Sequence, residues 1–234
     1  MSESGQQPHT FKGNGIKMNI NAQELCKSLQ PGDLLFQLCK GEVAEWLISR
    51  LFEGVNGQAI NHVGIYLGEQ KVIEASVAAV SVVSLKEFIE KSVMDVSRHP
   101  CITVGRLHSQ YSSLIPQAIN FAKSCVTQPY DDSYGIKSNW YCSKLIIEAF
   151  KDANDGQCFF KETLMSFKDP KSGEGYEYLV NHYKQYRELI SRGKPCSHPA
   201  LLSLSDNLTV VKVLGLLPYR SVNGLLISSN CLLA

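Results

Sequence analysis

A cysteine attacks a carbonyl only as its thiolate, and an imidazole trades protons near neutral pH, so eight cysteines and six histidines are the first places to look for chemistry in this chain. The cysteines stand at wide intervals, with no C-x-x-C pair, and no two histidines are spaced H-x-x-x-H. A zinc site from sequence-local ligands is therefore not expected, and nothing calls for a cofactor. Most free cysteines pack as small hydrophobes. Cys142 has a distinctive setting. Apolar residues recur at Cys142, Leu145, Ile146, Ala149 and Phe150, the spacing of a buried helical face with Cys142 in its first turn. The positive end of the helix dipole favours a thiolate there, and the backbone N–H groups of that turn can hold an oxyanion.

Such a thiol needs a base. The run Asn61-His62-Val63-Gly64-Ile65-Tyr66-Leu67-Gly68 reads as a strand, with Val63, Ile65 and Leu67 on one face and His62, Gly64 and Tyr66 on the other. The all-apolar face belongs on the core, and the opposite face, with a histidine beside a residue lacking a side chain, suits a cleft. Glu74 follows in the next strand-like run. A three-residue loop of Leu67-Gly68-Glu69 pairs Tyr66 with Gln70, Gly64 with Val72 and His62 with Glu74, close enough for the carboxylate to orient the ring. A loop of two or four residues carries Glu74 to the other face, so the constellation depends on register.

The elements that must position these groups are partly visible. Pro31-Gly32-Asp33 is a turn launching a strand over 34–38, and further strands are predicted over 62–67, 71–75, 80–83, 102–104 and 208–214. Helices are predicted over 22–29, 43–52, 85–91 and 176–190, and from the stripe Leu114, Ala118, Phe121, Ala122, Cys125. Ser84 and Glu87 form a capping box at the 85–91 helix, while 196–199 reads as a loop. No internal repeat is found. The expected organisation is a disordered leader over 1–20, one domain over 21–222 with its catalytic core at about 30–150, and a tail over 223–234. The expected fold class is α+β, an antiparallel sheet packed against the Cys142 helix.

Composition narrows the function classes. Apolar residues make up 44%, charged residues 19%, and the formal net charge is +1, so a nucleic-acid partner is not expected. The longest apolar stretches fall far short of the ~20 residues of a membrane span. The first twenty residues hold no apolar block, so no signal peptide is read and a cytoplasmic location is expected.

At these residues the chain resembles the circularly permuted branch of the NlpC-type papain-like cysteine hydrolases, and within it the YiiX/YebB-like group. The matching segments are Pro31-Gly32-Asp33-Leu34-Leu35-Phe36, Asn61-His62-Val63-Gly64, Val72-Ile73-Glu74-Ala75, Gln128-Pro129-Tyr130-Asp131 and Tyr141-Cys142-Ser143-Lys144-Leu145-Ile146. Histidine precedes cysteine, the reverse of the unpermuted order. The resemblance implies a papain-like α+β fold, Cys142 as nucleophile, His62 as general base and Glu74 as the orienting residue. It also implies cleavage of an amide (peptide or isopeptide) or ester through an acyl-enzyme, with a small peptide, amide or lipid-like substrate. Asp33 either faces the substrate or caps its turn. Tyr66, Tyr130 and Tyr141 either line the cleft or pack in the core with a tethered hydroxyl. Two rival functions remain: a lipid acyltransferase or phospholipase on the same scaffold, and a non-catalytic binding module in which Cys142 is a core thiol.

Overall fold

The computed structural model of the protein describes residues 25–41, 49, 51–131, 139–165 and 194–217. The predicted leader, the helices over 43–52 (save Ser49, Leu51 and Phe52) and 176–190, and the tail lie outside the described residues. Of the helix expected over 22–29, residues 25–28 are described and helical.

Six strands form one antiparallel sheet: β1 (Leu34–Gln37), β2 (His62–Gly68), β3 (Lys71–Ala75), β4 (Val80–Ser84), β5 (Ile102–Leu107) and β8 (Leu208–Val213). Their order is β4-β3-β2-β1-β5-β8. A separate two-stranded ribbon pairs β6 (Thr163–Met165) with β7 (Lys194–Cys196). The helices are α1 (Leu85–Glu90), α2 (Ile115–Ser124), α3 (Cys142–Ala153) and α4 (Pro199–Ser203). The expected α+β class is observed. The expected Ser84–Glu87 capping box is present as well, with Glu87 N donating to Ser84 Oγ and Ser84 N donating to Glu87 Oε2.

Side-chain alternation divides the core between two faces. On one face Leu34, Phe36, Val63, Ile65 and Ile73 meet Leu145, Ile146, Ala149 and Phe150 of α3 and Ala118 and Ala122 of α2. On the other Leu35, Tyr66, Val72, Ile102 and Val104 meet Leu85, Phe88 and Ile89 of α1. Over Gly64 and Tyr66 the second face is thus covered by α1, and the cleft expected there is not found among the described residues. Gly64 shows why. A Cβ at this position would stand 2.7 Å from Val72 Cγ1 and 3.0 Å from Phe88 Cε2, so α1 packs where a side chain would otherwise project.

The hairpin between β2 and β3 departs from the expected loop in an informative way. Its turn is the two-residue Glu69-Gln70, both at positive φ, which pairs Gly68 with Lys71. That turn alone would put Glu74 on the wrong face. A bulge inserts Leu67, so that Tyr66 pairs with Val72 and Ile65 with Ile73. Continued one step, this register sets Glu74 opposite Gly64 and diagonal to His62, not directly opposite it. The shift from the predicted register is two residues, so the face is kept.

Introducing a methyl at the crowded glycine tests the packing. Gly64→Ala is expected to lower unfolding stability by ~1–3 kcal/mol, measured by urea denaturation, because α1 must lift or Val72 must leave its rotamer.

Candidate active site

Cys142 occupies the first position of the twelve-residue α3, and its sulfur is nearly buried. The N-cap residue, Tyr141, is extended (φ −119°, ψ 165°) and supplies no side-chain cap, so the first-turn N–H groups take no acceptor from it. The helix lies against the Val63–Ile65 face, whereas His62 belongs to the other face. They meet because His62 is the first residue of β2, where the sheet ends and a helix start can reach past the strand. The Cys142 thiol donates towards the Asn61 carbonyl oxygen, Sγ to O 3.9 Å, and stands near enough to the His62 ring to interact with it electrostatically.

Beyond the ring stands Glu74. Its Oε2 lies 2.7 Å from His62 Nε2. The carboxylate is fully buried. Burial works against its charge, but hydrogen bonds and charge from His62 and then Lys91 outweigh this and hold the pKa at about 2. An ionised carboxylate only accepts, so His62 Nε2 carries a hydrogen and Nδ1 is left for the sulfur. Burial disfavours a charged imidazole, yet the neighbouring Cys142 and Glu74 push the His62 pKa well above its ordinary value. Phe88 flanks the ring at 5.8 Å between centroids, limiting its swing.

Two members of this cluster escaped the sequence analysis. Lys91 Nζ donates to the second Glu74 oxygen, Oε1. Asn61 clamps the end of β1: its Nδ2 donates to Cys39 O (3.1 Å), and Cys39 N donates to its Oδ1 (2.6 Å). The only sequence signals were a basic residue closing a capped helix and an asparagine beside the motif histidine. Cys39 is a further thiol within charge range of His62, Glu74, Lys91 and Cys142, and burial raises its pKa.

The remaining expected site residues have structural partners of their own. Asp33 is buried and forms a two-pronged ion pair with Arg106, Nε to Oδ1 and Nη2 to Oδ2 both 2.7 Å, while Gln30 N donates to Oδ2 at 2.8 Å. That is the turn-capping alternative, reinforced by a cation 73 residues downstream. Tyr66 is packed under α1 and its hydroxyl accepts from Gln70 N at 3.2 Å, tying down the hairpin turn. Tyr141 is buried, and its hydroxyl accepts from Ser197 N at 3.2 Å, while Ser197 Oγ donates to Ser143 Oγ at 3.0 Å. The 196–198 segment is thereby clamped to the start of α3. Burial pushes the Tyr141 hydroxyl pKa up. Tyr130 is half-buried and bridges to Trp140, two residues before Cys142. His198, expected in a loop, caps α4 through Nδ1, which accepts from Ala200 N at 3.0 Å.

Residues 28–212, well over half of the chain, match the family described as permuted papain-like amidase enzyme, YaeF/YiiX, C92 family. The chain belongs to the C92 family. A curated relative of this C92 protein is the probable lipoprotein peptidase YaeF of Escherichia coli (strain K12), 28% identical over 182 residues. The match covers 63% of this chain and 63% of that protein, so the chain spans less than two thirds of the relative. A solved structure described as metalloprotein yiiX from Escherichia coli O157:H7 shares the fold, with a TM-score of 0.62 over 79% of this chain and 97% of that one, at 18% identity. C92 membership places the chain in a family described as permuted papain-like amidases. Among the described residues no helix is long and apolar enough to cross a membrane, and no group of three or more His, Cys, Asp and Glu is arranged to hold a metal ion.

The buried charges set a pH dependence of stability. Glu74, depressed to about 2, stabilises the fold above the unfolded carboxylate's pKa of ~4.3, and that contribution is lost as pH falls through about 2. His62, raised above 6.5, contributes below that value and loses its contribution as pH rises through its higher folded-state pKa. Urea unfolding of wild type and Glu74→Gln across pH should show a wild-type advantage at pH 5–6 that shrinks towards pH 2. A constant gap over that range contradicts the assigned ionisation.

Proposed function

We propose that the protein hydrolyses an amide, a peptide or isopeptide bond, through an acyl-enzyme on Cys142. The observation that carries this is the row from the Cys142 sulfur at the start of α3, through the neighbouring His62 ring, to the buried Glu74 carboxylate 2.7 Å from that ring. The row combines three requirements of thiol catalysis: sulfur at a helix start, a ring that keeps its proton, and a buried anion that orients the ring.

In this mechanism Cys142 sulfur, as thiolate, attacks the substrate carbonyl carbon. A C–S bond forms and the oxygen takes the negative charge, with the uncapped first-turn N–H groups of α3 as its donors. The C–N bond then breaks as His62 passes its proton to the departing amine, leaving a thioester and a neutral imidazole. Water attacks the thioester while His62 Nδ1 accepts its proton. The C–S bond breaks, a carboxylic acid leaves, and the thiolate–imidazolium pair is restored. Glu74 stays ionised throughout and keeps the ring in the tautomer that presents Nδ1 to the sulfur.

Family membership supports an amide over other acyl compounds, and the curated relative's description as a lipoprotein peptidase makes an N-acylated or lipid-bearing peptide a sensible first substrate. Esters follow the same steps with an alcohol as leaving group. A non-catalytic module would need none of this row.

Two measurements separate these functions. Cys142→Ala is expected to abolish release of amine from peptide amides, a loss of at least ~1,000-fold, with the circular dichroism spectrum unchanged. Iodoacetamide at mildly acidic pH should modify Cys142 well ahead of the other thiols, identified by peptide mass. Retained turnover in the alanine variant refutes the nucleophile, and uniform slow labelling favours the binding module.

A further inference from the structure

Lys91 is placed more purposefully than a surface lysine. It closes α1 as its C-cap, and its backbone is pinned from both sides: Lys40 N donates to Lys91 O at 2.8 Å, and Ser92 bridges Cys39. From that anchored position the side chain reaches inward to Glu74 Oε1 while remaining 39% exposed. Lysine side chains ordinarily keep their rotamer freedom in water, and exposed ion pairs return little for holding them still. Here the partner is a carboxylate with no exposure, whose other oxygen is already committed to His62. Besides His62, no other cation among the described residues touches that carboxylate.

The result is a row of alternating charge in space: Cys142 sulfur, His62 ring, Glu74 carboxylate, Lys91 ammonium. We infer that Lys91 is a positioning residue for the Cys142–His62 pair, locking the free oxygen of Glu74 and setting the pH window in which thiolate and imidazolium coexist. This rests on Cys142 and His62 acting as proposed above.

Lys91 has two effects on the pair. It keeps Glu74 ionised and aimed when the ring is transiently neutral, a stage at which the carboxylate would otherwise be buried without a cation. It also adds one positive charge behind the pair. Removing that charge makes the thiolate harder to form, so the acid limb moves to higher pH. It makes the imidazolium harder to deprotonate, so the alkaline limb moves the same way. The other charged or titratable groups in range do not cancel this. Cys39, at the end of β1, is a thiol whose ionisation burial suppresses. Glu87 and Glu90 on α1 and Lys40 after β1 are exposed and screened by solvent.

The test is the pH profile of Cys142 alkylation by iodoacetate, an anion drawn to the imidazolium so that its rate falls as the ring loses its proton, mapped by mass spectrometry, in wild type, Lys91→Met, Lys91→Gln, Lys91→Arg and Lys86→Met. The expected result is that Met and Gln move both limbs upward by on the order of one pH unit, whereas Arg and the exposed-lysine control Lys86→Met keep the wild-type limbs. Thermal melts report which variants fold, and the Gln variant, which keeps a hydrogen-bond donor, carries the test should Met fail to fold. A drop in rate at all pH values with unmoved limbs overturns the inference and reduces Lys91 to a structural support. A wild type without a bell-shaped profile or selective Cys142 labelling instead sinks the Cys–His pairing, so the two failures are told apart.

Discussion

A carboxylate excluded from water is the constraint around which this end of the sheet is organised. Glu74 has no exposure, and an unpaired anion in such a place costs several kcal/mol. Its two oxygens are therefore spoken for, one by an imidazole and one by an ammonium. Satisfying the first fixes which imidazole nitrogen is protonated and where the ring lies. Satisfying the second fixes the end of α1. The helix then brings Phe88 over Gly64 and beside the His62 ring, so the same packing that excludes water from the carboxylate also restrains that ring.

The backbone serves that arrangement at two further points. The Leu67 bulge corrects the parity of a two-residue turn, without which Glu74 would lie on the α3 face among Val63 and Ile65. The Asn61 clamp holds the end of β1 to the start of β2, so the carbonyl that meets the Cys142 sulfur and the adjoining ring move as one piece. From the helix side, Tyr141 and Ser143 are tied to Ser197, which fixes the start of α3 relative to the 196–198 segment. Sulfur and imidazole are thus each mounted on backbone that is independently fastened.

Local patterns in the sequence carried much of this. The apolar stripe behind Cys142, the alternation from His62 to Leu67 and the Ser84–Glu87 capping box each depend on residues within one element, and each matches its observed element. Register depended on a bulge, which no residue in Leu67-Gly68-Glu69-Gln70 announces, and only its even offset kept Glu74 on the expected face. Partners distant along the chain were not legible. Arg106 decides that Asp33 is a structural ion pair, and Phe88 decides that the His62 face is a packed interior. Lys91 reaches Glu74 only because α1 folds back over β3. In each case a side chain's role is set by what tertiary packing lays against it, whereas sequence periodicity reports only which way it faces.

The sheet's strand order has a consequence for how the chain matures. The hairpins from β2 through β4 close over short spans, but β5 finds its outer neighbour only about a hundred residues later, where Thr103 pairs with Val213 and Leu107 with Leu208. Such distant pairing is slow, since a long loop must close before any ladder bond repays its entropy. During synthesis every group of the Cys142 row is made before β8 leaves the ribosome. Until it does, β5 presents an open row of backbone donors and acceptors, a template for pairing with other chains. β8 therefore acts as a seal on β5, added after the rest of the sheet has been made.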